Sequence, residues 1–111
     1  MATTTYKILG QAAPSTTANA DLLTVAAATE AIGSTLVIAN TTAATATTRV
    51  FARILGAAAA ASNAILYDVS IPANSSASFT LGITLAATDV LTVQTGTANA
   101  LTFTLFGTLV A

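Results

Sequence analysis

The chain has 111 residues, a length that accommodates one hydrophobic core rather than two. Only 6% of the residues are charged and the net charge is -1, whereas an ordinary globular chain is about 25% charged. Three positive side chains are too few to neutralise the phosphates that drive nucleic-acid binding, and the lack of histidine and cysteine excludes catalytic triads and imidazole or thiolate metal sites within one chain.

Self-association is the first positive expectation from this composition. Threonine, serine and asparagine keep the surface polar, as in TTAATATT at residues 41–48, but they supply no charge repulsion between copies. We therefore expect a subunit of an assembly, with a neutral monomer as the alternative. The start MATTTYKILGQ does not have the form of a secretory signal, and no apolar run is long enough to span a membrane.

The first 20 residues contain one short candidate strand, residues 5–9, followed by the irregular stretch GQAAPSTTANA. We expect residues 1–20 to form an extended arm that orders against a neighbour, with an edge strand and loop as the alternative. Residues 21–111 are expected to form the folded domain.

Period-2 alternation continues through the rest of the chain. Further strands are predicted at residues 21–25, 34–42, 47–55, 63–69, 77–85, 90–95 and 100–110. Seven or eight short strands at about 10-residue spacing predict an all-β, antiparallel β-sandwich, immunoglobulin-like or jelly-roll-like.

Two of these strands carry specific predictions about their faces. For residues 47–55, the predicted inner face is Val50, Ala52 and Ile54, and the predicted basic outer face is Arg49, Phe51 and Arg53. For residues 77–85, one continuous strand is predicted to turn one apolar face inward: Phe79, Leu81, Ile83 and Leu85.

The stretch ILGAAAAASNAIL, residues 54–66, interrupts the alternation with five alanines. Alanine favours helix, but Gly56 and the Ser62–Asn63 pair bracket a run too short for a stable one. The pattern predicts a connector of six to eight residues, with room for one helical turn, at an edge of the sandwich. Its methyl groups then contact another subunit or form a flexible tip in water.

The charged residues offer little for catalysis. The four acids lie far apart in sequence, and Asp21 and Asp89 are expected to bond to nearby backbone N–H groups at strand starts. Arg49 and Arg53, about 13 Å apart on one strand face, are candidates for ion pairs with a neighbouring subunit, or are simply solvated. We assign no catalytic, cofactor-binding or metal-binding residue and expect no small-molecule substrate.

Four stretches carry a family resemblance: YKILGQAAP at 6–14, LLTV at 22–25, IPANSSASFTLGITLAATDVLTV at 71–93 and LTFTLFGTLV at 101–110. Together they span most of the chain and resemble the short Ala/Thr-rich virion proteins of tailed bacteriophages, especially cyanobacterial phages, among which are capsid cement (decoration) proteins. The chain departs from that pattern at two turn positions, Ala26 and Thr88.

The resemblance implies a non-enzymatic structural role without a cofactor. We expect a capsid cement protein, a homotrimer that binds the major capsid protein on the outer capsid surface and bridges neighbouring capsomers. Similar proteins also occur among tail and fibre components, so attachment to a host glycan is the alternative, for which only Tyr6 and Tyr67 offer ready aromatic platforms. The candidate interface residues are Tyr6, Lys7, Arg49, Arg53, Ala57, Ala58, Ala59, Ala60 and Ala61.

Overall fold

Nine strands account for most of residues 3–111, the part of the chain that the computed structural model describes. In chain order they are β1 (Thr4–Ala12), β2 (Ala20–Thr24), β3 (Glu30–Asn40), β4 (Ala46–Arg53), β5 (Ala64–Ile71), β6 (Ser76–Phe79), β7 (Ile83–Leu85), β8 (Val90–Thr95) and β9 (Leu101–Val110). Two single 3-10 turns, Ile54–Gly56 and Ala61–Asn63, lie between β4 and β5. No helix within residues 3–111 is long and apolar enough to cross a membrane.

The strands form two antiparallel sheets. Sheet A has the order β1-β9-β3-β6, with β7 also beside β3, and sheet B has the order β2-β8-β4-β5. This architecture confirms the predicted antiparallel β-sandwich. There is one strand more than the upper prediction because residues 77–85 form two strands.

The core lies between the sheets and is built from the inward positions of the alternating strands. Leu36 and Ile38 of β3 are fully buried, as their alternation predicts, and they face Val50, Leu91 and Val93 of sheet B within one apolar cluster. The inward residues of β9 complete that cluster, namely Leu101, Phe103 and Leu105.

The prediction of one continuous strand over residues 77–85 is wrong. β6 pairs with the second half of β3, ending at Phe79 opposite Leu36, whereas β7 pairs with the first half, where Ile83 lies opposite Gly33. Three residues, 80–82, therefore stand opposite two residues of β3, so the pairing lapses there. Gly82 adopts a left-handed backbone (φ +61°), and Leu81 turns out to solvent instead of facing the core.

Two positions of the strand predicted at residues 47–55 also differ from the alternation. Ile54 is exposed rather than inward because the strand ends at Arg53 and the chain enters a 3-10 turn. Phe51 was expected on a solvated basic face but is only 4% exposed. It lies outside the main core cluster, on the strand against which the turn Ala61–Asn63 packs.

The predicted N-terminal arm is paired with its own chain over much of its length. β1 runs antiparallel to β9, from Thr4 opposite Val110 to Ala12 opposite Phe103. The edge-strand alternative thus describes residues 4–12, and residues 13–19 form the irregular crossing from sheet A to sheet B. Residues 1 and 2 of the predicted arm lie outside the described part of the chain.

Candidate interaction surfaces

The connector between β4 and β5 begins with two large apolar side chains in solvent. Ile54 and Leu55, here called the tip, are 74% and 73% exposed. Leu55 has a left-handed backbone (φ 51°, ψ 29°), a conformation that costs a non-glycine residue about 1–2 kcal/mol. The rest of the structure must therefore hold the tip in place.

Hydrogen bonds from both sides fix the tip. Asp89 accepts one from the Leu55 N–H and one from the Ala86 N–H, each at 3.0 Å. Arg53 donates from Nε to the Ala57 carbonyl at 2.6 Å and from Nη2 to the Gly56 carbonyl at 2.9 Å. The expectation that Asp89 bonds to nearby backbone N–H groups is confirmed at Ala86.

Arg53 is itself held by its own chain. Its Nη1 lies 3.1 Å from Oδ1 of Asp21 and 3.0 Å from Oγ1 of Thr92, and the Thr92 hydroxyl donates to the same Asp21 oxygen at 3.0 Å. With its side chain 20% exposed, Arg53 braces the connector. Its ion pair in this structure is intramolecular.

The alanine run follows the tip as an irregular loop, which confirms the predicted connector. Ala57, Ala58, Ala60 and Ala61 are exposed, and Ala59 is half-buried. Asn63 closes the loop, because its side chain donates to the Ala58 carbonyl at 2.9 Å and accepts from the Ala60 N–H at 3.1 Å. The connector spans residues 54–63 and so is longer than predicted.

A second exposed apolar area lies on the outer face of sheet A. Its members, here called the apolar face, are Tyr6 and Ile8 on β1, Phe106 on β9 and Ile32 on β3, exposed by 83%, 49%, 41% and 44%. Strand register brings them together, because Ile8 lies opposite Phe106, while Tyr6 and Ile32 both lie opposite Thr108. They form one patch across three neighbouring strands.

Few charges adjoin the apolar face. Glu30 lies two positions before Ile32 on β3, whereas Lys7 lies between Tyr6 and Ile8 on β1 and also lines a cavity on the other side of the sheet with Leu9 and Leu109; neither forms an ion pair among residues 3–111. Of the residues singled out from sequence, Tyr6 and Lys7 belong here. Ile8, Ile32 and Phe106 were missed, because alternation reports which face a residue takes but not the register that gathers residues from distant strands.

Arg49, the other arginine singled out, forms a compact cluster on sheet B. Its Nε and Nη2 bond to Oδ1 and Oδ2 of Asp68 at 2.7 and 3.1 Å, and its guanidinium carbon lies 4.1 Å from the ring centre of Tyr67. The hydrogen bond from Arg49 lowers the pKa of Asp68 and raises that of Arg49. This ion pair is also intramolecular.

A β-bulge makes this cluster possible. Pairing between β4 and β5 shifts register between Thr48, opposite Val69, and Val50, opposite Leu66. Asp68 lies in the bulge with a left-handed backbone (φ 53°). Two consecutive residues, Tyr67 and Asp68, consequently reach the same arginine, which regular alternation would not allow.

Two of the cavities that open at the surface of the sandwich are lined in part by β4 and β5. One, about 280 Å³, is polar and lies beside the Arg49 cluster; it is lined by Thr17, Thr47, Thr48, Arg49, Asp68, Gln94, Thr95 and Gly96. The other, about 290 Å³, is here called the side groove and is lined by Ala52, Ile65, Leu81, Gly82, Ile83, Thr84 and Leu85. Within residues 3–111, no three acidic side chains cluster in a way that could hold a metal ion.

Comparison with known proteins assigns no family. No family model and no curated protein matches the chain. Among solved structures, it overlays on a chain of infectious bursal disease virus, Gx strain (TM-score 0.49, 14% identity), and on one of the Gt strain (TM-score 0.45, 8% identity). The overlays cover 99% of this chain but only 31% and 30% of those chains. At these TM-scores the likeness assigns no function.

Proposed function

We propose that this chain is a non-enzymatic structural protein of a virion, and specifically a capsid cement protein that binds the outside of the shell and bridges neighbouring capsomers. The observation that carries the proposal is the apolar face of sheet A. Its four large side chains are exposed on three paired strands, and exposed apolar patches of this kind mark protein–protein contact sites. The sequence resemblance to phage virion proteins supports the same role.

The apolar face is smaller than a standard stable interface, so it suits a contact that several linked copies make at once. The four side chains span three neighbouring strands, about 14 Å, but only three positions along each strand, about 10 Å. The patch is therefore well below the about 800 Å² per partner that a standard stable interface buries. One such contact is weak, but a homotrimer that engages several capsomers at once gains avidity from its linked copies.

The charges beside the apolar face suit this role. Lys7 and Glu30 have opposite signs and form no ion pair among residues 3–111. Rim charges contribute more to the orientation of a docked partner than to affinity. The major capsid protein is the proposed partner, with apolar contact at the centre and the Glu30 carboxylate at the margin.

Binding to shells that lack the protein tests the proposal. Purified protein should bind such shells and raise the temperature at which they break open. Phe106→Lys should abolish binding without unfolding the chain, because Phe106 is exposed and a lysine there places an unpaired charge in the contact. Ser70→Lys, the same charge added to an exposed position on sheet B, is the matched control and should bind normally. Equal binding by both variants, or unchanged shell stability, would contradict the proposal.

A tail or fibre domain that attaches to host glycans is the second candidate. The polar cavity lined by Arg49 and Asp68 favours it, since its hydroxyl, amide and charged groups are suited to a sugar and the Tyr67 ring packs against Arg49. Antibody labelling of intact particles separates the two candidates. Label over the whole capsid supports the cement role, whereas label confined to the tail supports attachment.

A further inference from the structure

Two apolar features on opposite flanks of β4 are left uncovered within residues 3–111. The tip projects Ile54 and Leu55 into solvent. The side groove lies where the edge of sheet A is interrupted at residues 80–82, with Ile65 and Leu81 at its mouth, 39% and 43% exposed, and Ile83 and Leu85 nearly buried at its base. No charged side chain lines the groove, so its chemistry matches that of the tip.

The tip contributes no side chain to the core of its own chain. Neither of its side chains is buried, and Leu55 adopts a left-handed backbone. Even so, Asp89 and Arg53 fix its backbone through the hydrogen bonds described above. A fixed apolar projection is preorganised for contact with another molecule, because little conformational entropy remains to be lost on binding.

Neither Ile54 nor Leu55 lines the side groove of its own chain. Sheet B has the order β2-β8-β4-β5. The tip is anchored on the β8 side of β4, through Asp89 just before β8 and through the contact of Arg53 with Asp21 on β2. The groove opens on the β5 side, at Ile65. A tip held towards β8 leaves the groove of its own chain empty.

We propose that the tip of one copy inserts into the side groove of a second copy. The groove, about 290 Å³, is nearly twice the about 150 Å³ of an apolar cavity that accepts a benzene ring, so it has room for a leucine side chain with part of an isoleucine. Contact between two different surfaces of identical chains is heterologous, and such contacts close into rings when the rotation between copies allows. The inference deepens the homotrimer element of the proposed function by naming the contact that closes it.

Two variants isolate the two halves of the contact. Leu55→Asp places a charge on the tip, and Leu81→Asp places one at the mouth of the groove; both positions are exposed, so folding should survive and circular dichroism checks that it does. Ser70→Asp, at an exposed position of β5 that belongs to neither the tip nor the side groove, is the matched control. Sedimentation velocity over a concentration series should give a closed oligomer for the parent and for Ser70→Asp, and monomers for the other two, with association weakened at least about tenfold.

Mixing the two variants gives the sharpest test. A Leu81→Asp copy keeps an intact tip and a Leu55→Asp copy keeps an intact groove, so an equal mixture has one working junction per pair and should form a 1:1 dimer that cannot close a ring. A parent chain that stays monomeric, single variants that assemble like the parent, or a mixture that stays monomeric would each overturn the inference. If an aspartate variant fails to fold, Leu55→Ser and Leu81→Ser take its place. These measurements use no shells, so their failure leaves the cement proposal to its own test.

Discussion

Arg53 holds the chain at Ala57, because its Nε donates a 2.6 Å hydrogen bond to the Ala57 carbonyl oxygen. The same guanidinium reaches Gly56, Asp21 and Thr92, so one side chain ties the connector to β2 and β8. Sequence alone nominated Arg53 and Ala57 as independent interface candidates. In the structure they form one unit, in which the arginine positions the alanine loop.

Replacing Arg53 with methionine should loosen the connector. The variant loses four hydrogen bonds to a charged donor, and we expect the free energy of unfolding to fall by about 1–3 kcal/mol. Amide hydrogen exchange should speed up at residues 54–63 more than in the strands. Arg49→Met removes the other ion-paired arginine, distant from the connector, and should leave exchange at 54–63 unchanged; a uniform effect on both variants would contradict the positioning role.

Replacing Asn40 with aspartate should cause a loss of stability that depends on pH. Its side chain is 3% exposed and donates to the carbonyls of Ala44 (2.8 Å) and Ile71 (3.0 Å). Asn40→Asp puts a carboxylate against those two carbonyl oxygens, so burial and repulsion raise the pKa of the new carboxyl in the folded state. Relative to the parent, the variant should lose stability as pH rises above about 4 and level off above that raised pKa.

Chemical denaturation of parent and variant at several pH values measures this loss, which we expect to reach about 2–4 kcal/mol at neutral pH. Near pH 3, where the new group is protonated in both states, most of it should disappear. A difference that stays constant across this range would show that the carboxylate escapes to solvent.

Gly107 lies where β9 crosses the bulge of β3. A methyl group there would overlap the carbonyl oxygen of Ile32 and approach the Cα of Gly33 to 2.9 Å. Both neighbours are backbone atoms that cannot swing aside, so Gly107→Ala should cost about 2–3 kcal/mol or more in thermal or chemical unfolding. Gly82→Ala is the matched control, since it meets open space and pays only for its left-handed backbone, about 1–2 kcal/mol. The reverse ranking would contradict the close strand approach.

Replacing Asp68 should have a small effect on stability that depends on pH in the acid range. Its folded-state pKa is lowered by the hydrogen bond from Arg49, so its contribution to stability is present above the ordinary value of 3.8 and is lost as pH falls through the lowered pKa. The stability difference between parent and Asp68→Asn should therefore shrink as pH drops below the ordinary pKa of 3.8. Both partners are partly exposed, so the effect is modest.

Glu30→Gln removes the same charge without breaking an ion pair of residues 3–111 and serves as control. Urea denaturation at pH 7 and at pH 3 compares the two. A larger effect from Glu30→Gln than from Asp68→Asn at neutral pH would show that the Arg49 pair contributes nothing to folding.

Alternation predicted the sandwich because inward residues such as Ile38 and Phe103 repeat every second position, and both are fully buried. It failed where pairing departs from a regular ladder. Leu81 leaves the core because three residues stand opposite two, and Asp68 reaches Arg49 only through a bulge. Such irregularities depend on the partner strand, which a period along one strand does not contain.

The candidate surfaces were likewise predictable only where the signal lies within one stretch of the sequence. The connector could be located from Gly56 and Asn63, which bracket the alanines, and Tyr6 was recognised as a candidate. Its neighbours Ile32 and Phe106 lie 26 and 100 positions further along the chain and meet it only through the register of β1, β9 and β3. The intramolecular partners of the arginines could not be predicted for the same reason. Asp21 is far from Arg53 in sequence, and Asp68 is far from Arg49.

The number of copies per virion, counted by quantitative mass spectrometry against the major capsid protein, tests the central claim most directly. A cement protein that covers equivalent sites across a shell should be present on the order of hundreds of copies per particle, in a fixed ratio to the capsid subunit. A count on the order of a dozen or fewer would contradict the account and assign the chain to a tail or fibre.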